Sequence, residues 1–155
     1  MLLDCHLTVW HLDGAMDAQQ RRATHVLIVE DDARLLSVLK ELLDDAGYEA
    51  ETALDGHVAI QKLSTFTPDV ILLDLEMTFV NGYEVLEWMK RNGIRIPVVL
   101  STLHDEVGAA AVGAVLKLSK PFTLEQLLDA VTLALATKER GSFPPRTMEP
   151  HGAGG

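Results

Sequence analysis

Short apolar runs alternate with longer amphipathic stretches along most of the chain. His25-Val26-Leu27-Ile28-Val29 is the first such run. Branched residues bounded by polar ones predict a buried strand. From Ala33 to Ala46 the apolar positions Leu35, Leu36, Val38, Leu39, Leu42 and Leu43 recur at helical spacing, and Gly47 follows as a stop. Tyr48–Ala53 alternates weakly and reads as a second strand. Asp55-Gly56 opens a short helix carrying Val58, Ile60 and Leu63. Val70-Ile71-Leu72-Leu73 then runs directly into Asp74, with Pro68-Asp69 marking its start. That run predicts a strand buried on both faces, with the acid at its carboxyl end.

The same alternation continues. Asn81-Gly82 signals a turn before a helix over Tyr83–Arg91, with Val85, Leu86 and Met89 inward. Pro97-Val98-Val99-Leu100 is the fourth strand, ending in Ser101-Thr102. Asp105–Val112 reads as a short Ala-rich helix stopped by Gly113. Val115–Leu118 is the fifth strand, followed by Ser119-Lys120-Pro121-Phe122. Thr123 caps a fifth helix running to about Lys138, with Leu124, Leu127, Leu128, Val131 and Leu135 on its apolar side. Five strands alternating with five helices predict an α/β domain, a doubly wound parallel five-stranded sheet, over 25–139. Residues 1–24 are expected as a loosely ordered arm and 140–155, rich in Gly and Pro, as a disordered tail. Met16 is a candidate natural start.

Composition narrows the partners. The chain has 155 residues, 48% of them hydrophobic, so one sizeable core can be buried; only 5% are aromatic, so that core is aliphatic. The net charge of -10 argues against a nucleic-acid or anionic-membrane surface. Cys5 is the one cysteine, which rules out an intramolecular disulfide. No secretory signal is visible in Met1–Trp10, and no run approaches a membrane span. These features point to the cytoplasm. The His residues show no ligand spacing, so a His/Cys metal site is not expected.

The chemistry lies at the strand ends. In a parallel sheet they share one edge. The first strand ends in Glu30-Asp31-Asp32, the third in Asp74, the fourth in Ser101-Thr102, and Lys120 follows the fifth. Clustered carboxylates stay ionised together only around a cation, and oxygen ligands with open positions suit Mg²⁺. Lys120 and Ser101 would hold phosphoryl oxygens, leaving Asp74 to attack phosphorus and form an acyl phosphate. Asp32 reads mainly as a helix cap.

These residues resemble the receiver domains of two-component response regulators. The resemblance covers about Val26 to Lys138. It rests on Val-Leu-Ile-Val-Glu-Asp-Asp, Pro-Asp-Val-Ile-Leu-Leu-Asp with Asn81-Gly82 after it, Pro-Val-Val-Leu-Ser, Gly113-Ala114 and Ser-Lys-Pro-Phe. It implies a flavodoxin-like strand order 2-1-3-4-5 and phosphoryl transfer to Asp74 from a histidine kinase or phosphotransfer protein. It also implies Mg²⁺ held by Asp31, Asp74 and the Glu76 backbone carbonyl, with Glu30 acting through water. Ser101, Thr102 and Lys120 become the phosphoryl-binding and switch positions, and the Lys120–Pro121 bond is implied to be cis. Self-phosphorylation and self-dephosphorylation with Mg²⁺ follow, in a signalling domain and not an enzyme.

Three departures stand out. Thr78 replaces a usual Pro, which implies a less rigid loop. Thr102 replaces a small residue and narrows access. Lys117 replaces the aromatic switch residue, and an ammonium does not readily enter an apolar slot. No DNA-binding domain is expected after Lys138, so output is expected through a protein partner. The Ala/Leu excess of the fifth helix suits core, a partner surface or a homodimer. Two alternatives stand beside this reading. One is a receiver-like binding module that signals without phosphorylation. The other is a haloacid-dehalogenase-like phosphatase, to whose Asp-x-Asp-x-Thr motif Asp74–Thr78 is a near miss; there the acidic pair lies downstream, whereas here it lies upstream.

Overall fold

Five parallel strands form one sheet in the order β2-β1-β3-β4-β5. The strands are β1 (His25–Val29), β2 (Glu49–Ala53), β3 (Val70–Asp74), β4 (Val98–Thr102) and β5 (Leu116–Ser119). The helices are α1 (Ala33–Asp45), α2 (Gly56–Leu63), α3 (Gly82–Arg91) and α4 (Leu124–Glu139). This computed structural model describes residues 23–104 and 106–139. The expected arm and tail, and the candidate start at Met16, lie outside the described residues.

Burial on both faces sets the architecture. Val26 and Ile28 of β1 pack in one cluster with Leu36, Leu39 and Leu43 of α1 and Leu127, Val131 and Ala134 of α4. Leu27 and Val29 belong to the opposite cluster, with Ala59 and Leu63 of α2 and Val85 and Met89 of α3. Strand side chains alternate between faces, so a strand buried on both must be apolar throughout. β3 meets that demand with Val70, Ile71, Leu72 and Leu73, all at most 1% exposed. Its fifth residue, Asp74, is 2% exposed at the carboxyl end.

Local signals set the helix boundaries. The Asp32 carboxylate accepts from the Arg34 and Leu35 backbone N–H groups, Asp55 from Val58, and Asn81 from Glu84. Thr123 and Gln126 cap α4 reciprocally: the Gln126 N–H donates to Thr123 Oγ1 at 3.1 Å, and the Thr123 N–H to Gln126 Oε1 at 2.9 Å. Gly47, Gly93 and Gly113 all have positive φ, as chain reversal after a helix requires.

One predicted helix is not there. The described part of Asp105–Val112 holds only a 3₁₀ turn, Ala110–Val112. Four α-helices are therefore present among the described residues, not five. The segment carries Gly108 within it and stops at Gly113. So short a stretch with an internal glycine does not recover the cost of nucleating an α-helix.

Candidate functional site

The carboxyl edge of the sheet gathers residues from across the chain. Asp74 sits opposite Ser101 in the β3–β4 register, and Thr102 opposite Ser119 in the β4–β5 register. β1 lies on the other side of β3, so Glu30 and Asp31, just past its end, reach the same place. One carboxylate oxygen each from Glu30, Asp31 and Asp74 lie within 4.8 Å of one another. Glu30 is buried as well as Asp74.

Lys120 spans the two buried acids. Its Nζ lies 3.0 Å from Glu30 Oε2 and 3.3 Å from Asp74 Oδ1. The Lys120 backbone N–H donates to the Thr102 carbonyl at 2.8 Å, and the Lys120–Pro121 bond is cis. Burial lowers the pKa of an ammonium, but the hydrogen bond to Glu30 and the charges of Asp74 and Glu30 outweigh it and raise that of Lys120 above the ordinary value. Asp74 is raised as well, far above an ordinary carboxyl. Desolvation, then the Glu30 charge, push its pKa from 3.8 up to about 7, against Lys120 and the Glu76 N–H. Three acids thus gather around one ammonium.

Ser101 is 3% exposed, and its Oγ is buried without a hydrogen-bond partner. A buried hydroxyl left so is uncommon. Thr102 is fully buried, but its hydroxyl is engaged: it donates to Glu76 Oε1 and accepts from the His104 N–H at 3.0 Å. Lys117 lies half-buried on β5, opposite Leu100.

Three contacts were not anticipated from the sequence. Glu76 was considered for its backbone carbonyl, yet its side chain joins Thr102, and its N–H donates to Asp74 Oδ1 at 3.1 Å. Thr78, expected to loosen its loop, ties that loop to Asp31: its N–H and hydroxyl both donate to Asp31 Oδ2, at 3.2 and 2.9 Å. Gly82, read as a turn residue, passes so close to the acceptor that a Cβ there would stand 2.6 Å from the Asp74 carbonyl oxygen. The Thr102–Glu76, Thr78–Asp31 and Gly82–Asp74 contacts have no local sequence signal, because each depends on which loops meet at the edge.

The model for the response regulator receiver domain matches residues 26–132. The chain belongs to that family. Among curated relatives it is 34% identical over 126 residues to the response regulator SaeR of Staphylococcus aureus, covering 79% of this chain and 55% of that one. The chain therefore spans about half the length of the curated relatives it matches. Among solved structures it is similar to the chemotaxis response regulator CheY4 of Vibrio cholerae: TM-score 0.68, 31% identity, 73% of this chain and 99% of that one. It is also similar to the response regulator TrrA of Thermotoga maritima, solved in complex with Mg²⁺ and BeF, with TM-score 0.65, 26% identity and coverage of 72% and 98%. The family places the chain among signalling domains rather than phosphatases. No helix among the described residues is long and apolar enough to cross a membrane.

Proposed function

We propose that this receiver, spanning 25–139, takes a phosphoryl group on Asp74 from a histidine kinase or phosphotransfer protein in a two-component phosphorelay. The observation that carries this reading is Asp74 itself: a buried strand-end carboxylate 3.3 Å from Lys120 Nζ, beside the partnerless Ser101 hydroxyl. An Asp74 oxygen forms the bond to phosphorus as the bond from phosphorus to the donor imidazole nitrogen breaks. That nitrogen keeps the electron pair, and the proton already on the other ring nitrogen of the donor leaves the imidazole neutral. Lys120 and Ser101 hold phosphoryl oxygens. Return to the resting state is hydrolysis: water oxygen bonds phosphorus, the Asp74–phosphorus bond breaks, and inorganic phosphate leaves.

The acidic cluster fits Mg²⁺. All its donors are carboxylate oxygens, and two of the three acids, Glu30 and Asp74, are buried. Asp31, Asp74 and the Glu76 carbonyl would hold the ion, with Glu30 through water. When bound, Mg²⁺ supplies charge neutralisation for the phosphoryl oxygens. One Asp31 oxygen already accepts twice from Thr78, which leaves the other for a ligand role.

Output goes through a protein partner in the cytoplasm, and phosphorylation acts by favouring one of two conformations that already exist. With Lys117 in the usual aromatic position, movement of Ser101 and the adjoining loops carries the change. The test is incubation with Mg²⁺ and acetyl phosphate, followed by intact mass. The expected result is one added phosphoryl group, lost in Asp74→Asn. No added mass, or mass that survives the substitution, overturns the assignment; transfer from a labelled phosphohistidine protein checks the donor.

A further inference from the structure

Two side-chain polar atoms among the described residues are buried without a partner: Ser101 Oγ and Glu76 Oε2. The first belongs to the phosphoryl site. The second is a carboxylate oxygen, and its residue stands two positions after Asp74. The Glu76 side chain is 30% exposed as a whole, so extended rotamers into water are open to it. It is folded inward instead. The Thr102 hydroxyl donates to Oε1, and His104 Nε2 lies 3.7 Å from the same oxygen. This carboxylate thus sits beside Asp74, whose Oδ1 accepts from the Glu76 N–H at 3.1 Å.

Thr102 is what fixes it there. Its residue is fully buried, so its hydroxyl has no route to water, and its second hydrogen bond, from the His104 N–H, is local. Valine at this position would keep the shape and remove the donor. Every phosphodonor approaches Asp74 with negatively charged phosphoryl oxygens, and a fixed carboxylate at the entrance repels them in a poorly screened setting.

We propose that Thr102 and Glu76 form a latch that holds an anion at the entrance of the Asp74 site and slows phosphoryl gain. The inference rests on Asp74 being the acceptor. Glu76 and Thr102 are positioning residues: neither forms or breaks a bond to phosphorus. Opening the latch lets the carboxylate turn to solvent and takes a fixed negative charge away from Asp74.

The experiment measures the rate of phosphoryl gain from acetyl phosphate with Mg²⁺, by intact mass, on the full chain. Circular dichroism first confirms that each variant is folded. Thr102→Val and Glu76→Gln should each raise the rate about tenfold, the scale of one hydrogen bond to a charged group. Thr102→Ser, which keeps the hydroxyl, should return the slow rate. The double variant should be no faster than Glu76→Gln alone, because both changes undo one interaction. Raising the ionic strength should speed the wild type more than Glu76→Gln, since only the former carries the repelling charge. Rates at or below wild type in Thr102→Val and Glu76→Gln, or factors that multiply in the double variant, overturn the latch while leaving Asp74 as acceptor. A wild type that gains no phosphoryl mass overturns both.

Discussion

Replacing Asp74 by Asn should stabilise the metal-free protein at pH 8. The folded domain holds the Asp74 carboxyl near 7, against 3.8 for an ordinary one. A carboxyl whose pKa rises on folding favours the fold fully below its unfolded value. That benefit is lost as pH climbs through the folded value. At pH 8 the wild type therefore carries an ionised, desolvated Asp74 next to the Glu30 charge. The gap of roughly three pH units corresponds to about 4 kcal/mol at 1.36 kcal/mol per unit. Side chains relax and water enters around such groups, so about 2 kcal/mol is the expected gain. In a domain of this size that moves the melting temperature by ~8 °C. Asn is nearly isosteric and neutral, so the gap should shrink as pH falls from 8 toward 4. Thermal melts of both proteins by circular dichroism, in chelator across that range, read it directly. Mg²⁺ should then close the gap from the other side. At a hundred times its dissociation constant it adds ~2.7 kcal/mol to a protein that binds it, and the variant lacks one of the three acids. Equal or lower stability of Asp74→Asn at pH 8, or a gap that widens on acidification, refutes the electrostatic account of the site.

Three further outcomes follow from the packing. Gly82→Ala should cost about 2 kcal/mol in urea unfolding and slow phosphoryl gain, because its Cβ would press the Asp74 carbonyl oxygen and the Leu75 Cα at 2.6 and 2.9 Å. Asp32→Ala should lose about 1 kcal/mol of stability, the worth of its cap on α1, and leave phosphoryl gain near wild type. Leu127→Ala, at a residue with no exposure between α4 and the sheet, should lower stability by about 3 kcal/mol in the same assay.

The sequence by itself determined the element order and most boundaries. β1 is His25–Val29 as its apolar run predicts, and the caps at Asp32 and Thr123 are local signals read locally. It also placed Glu30, Asp31, Asp74, Ser101 and Lys120 on one edge, because the ends of parallel strands have nowhere else to go. Where the local signal was weak it misled: the Ala-rich stretch before Gly113 has helix-forming residues but too few of them, and only a 3₁₀ turn forms. What tertiary structure alone decided is how the loops beyond the strand ends meet. The Thr102 bond to Glu76, the Thr78 bonds to Asp31 and the approach of Gly82 to Asp74 join residues whose pairing no periodicity encodes. Strand chemistry repeats with a fixed period and can be read along the chain. A contact between two loops depends on the register and twist of the strands beneath them, and those are set only when the whole sheet has packed.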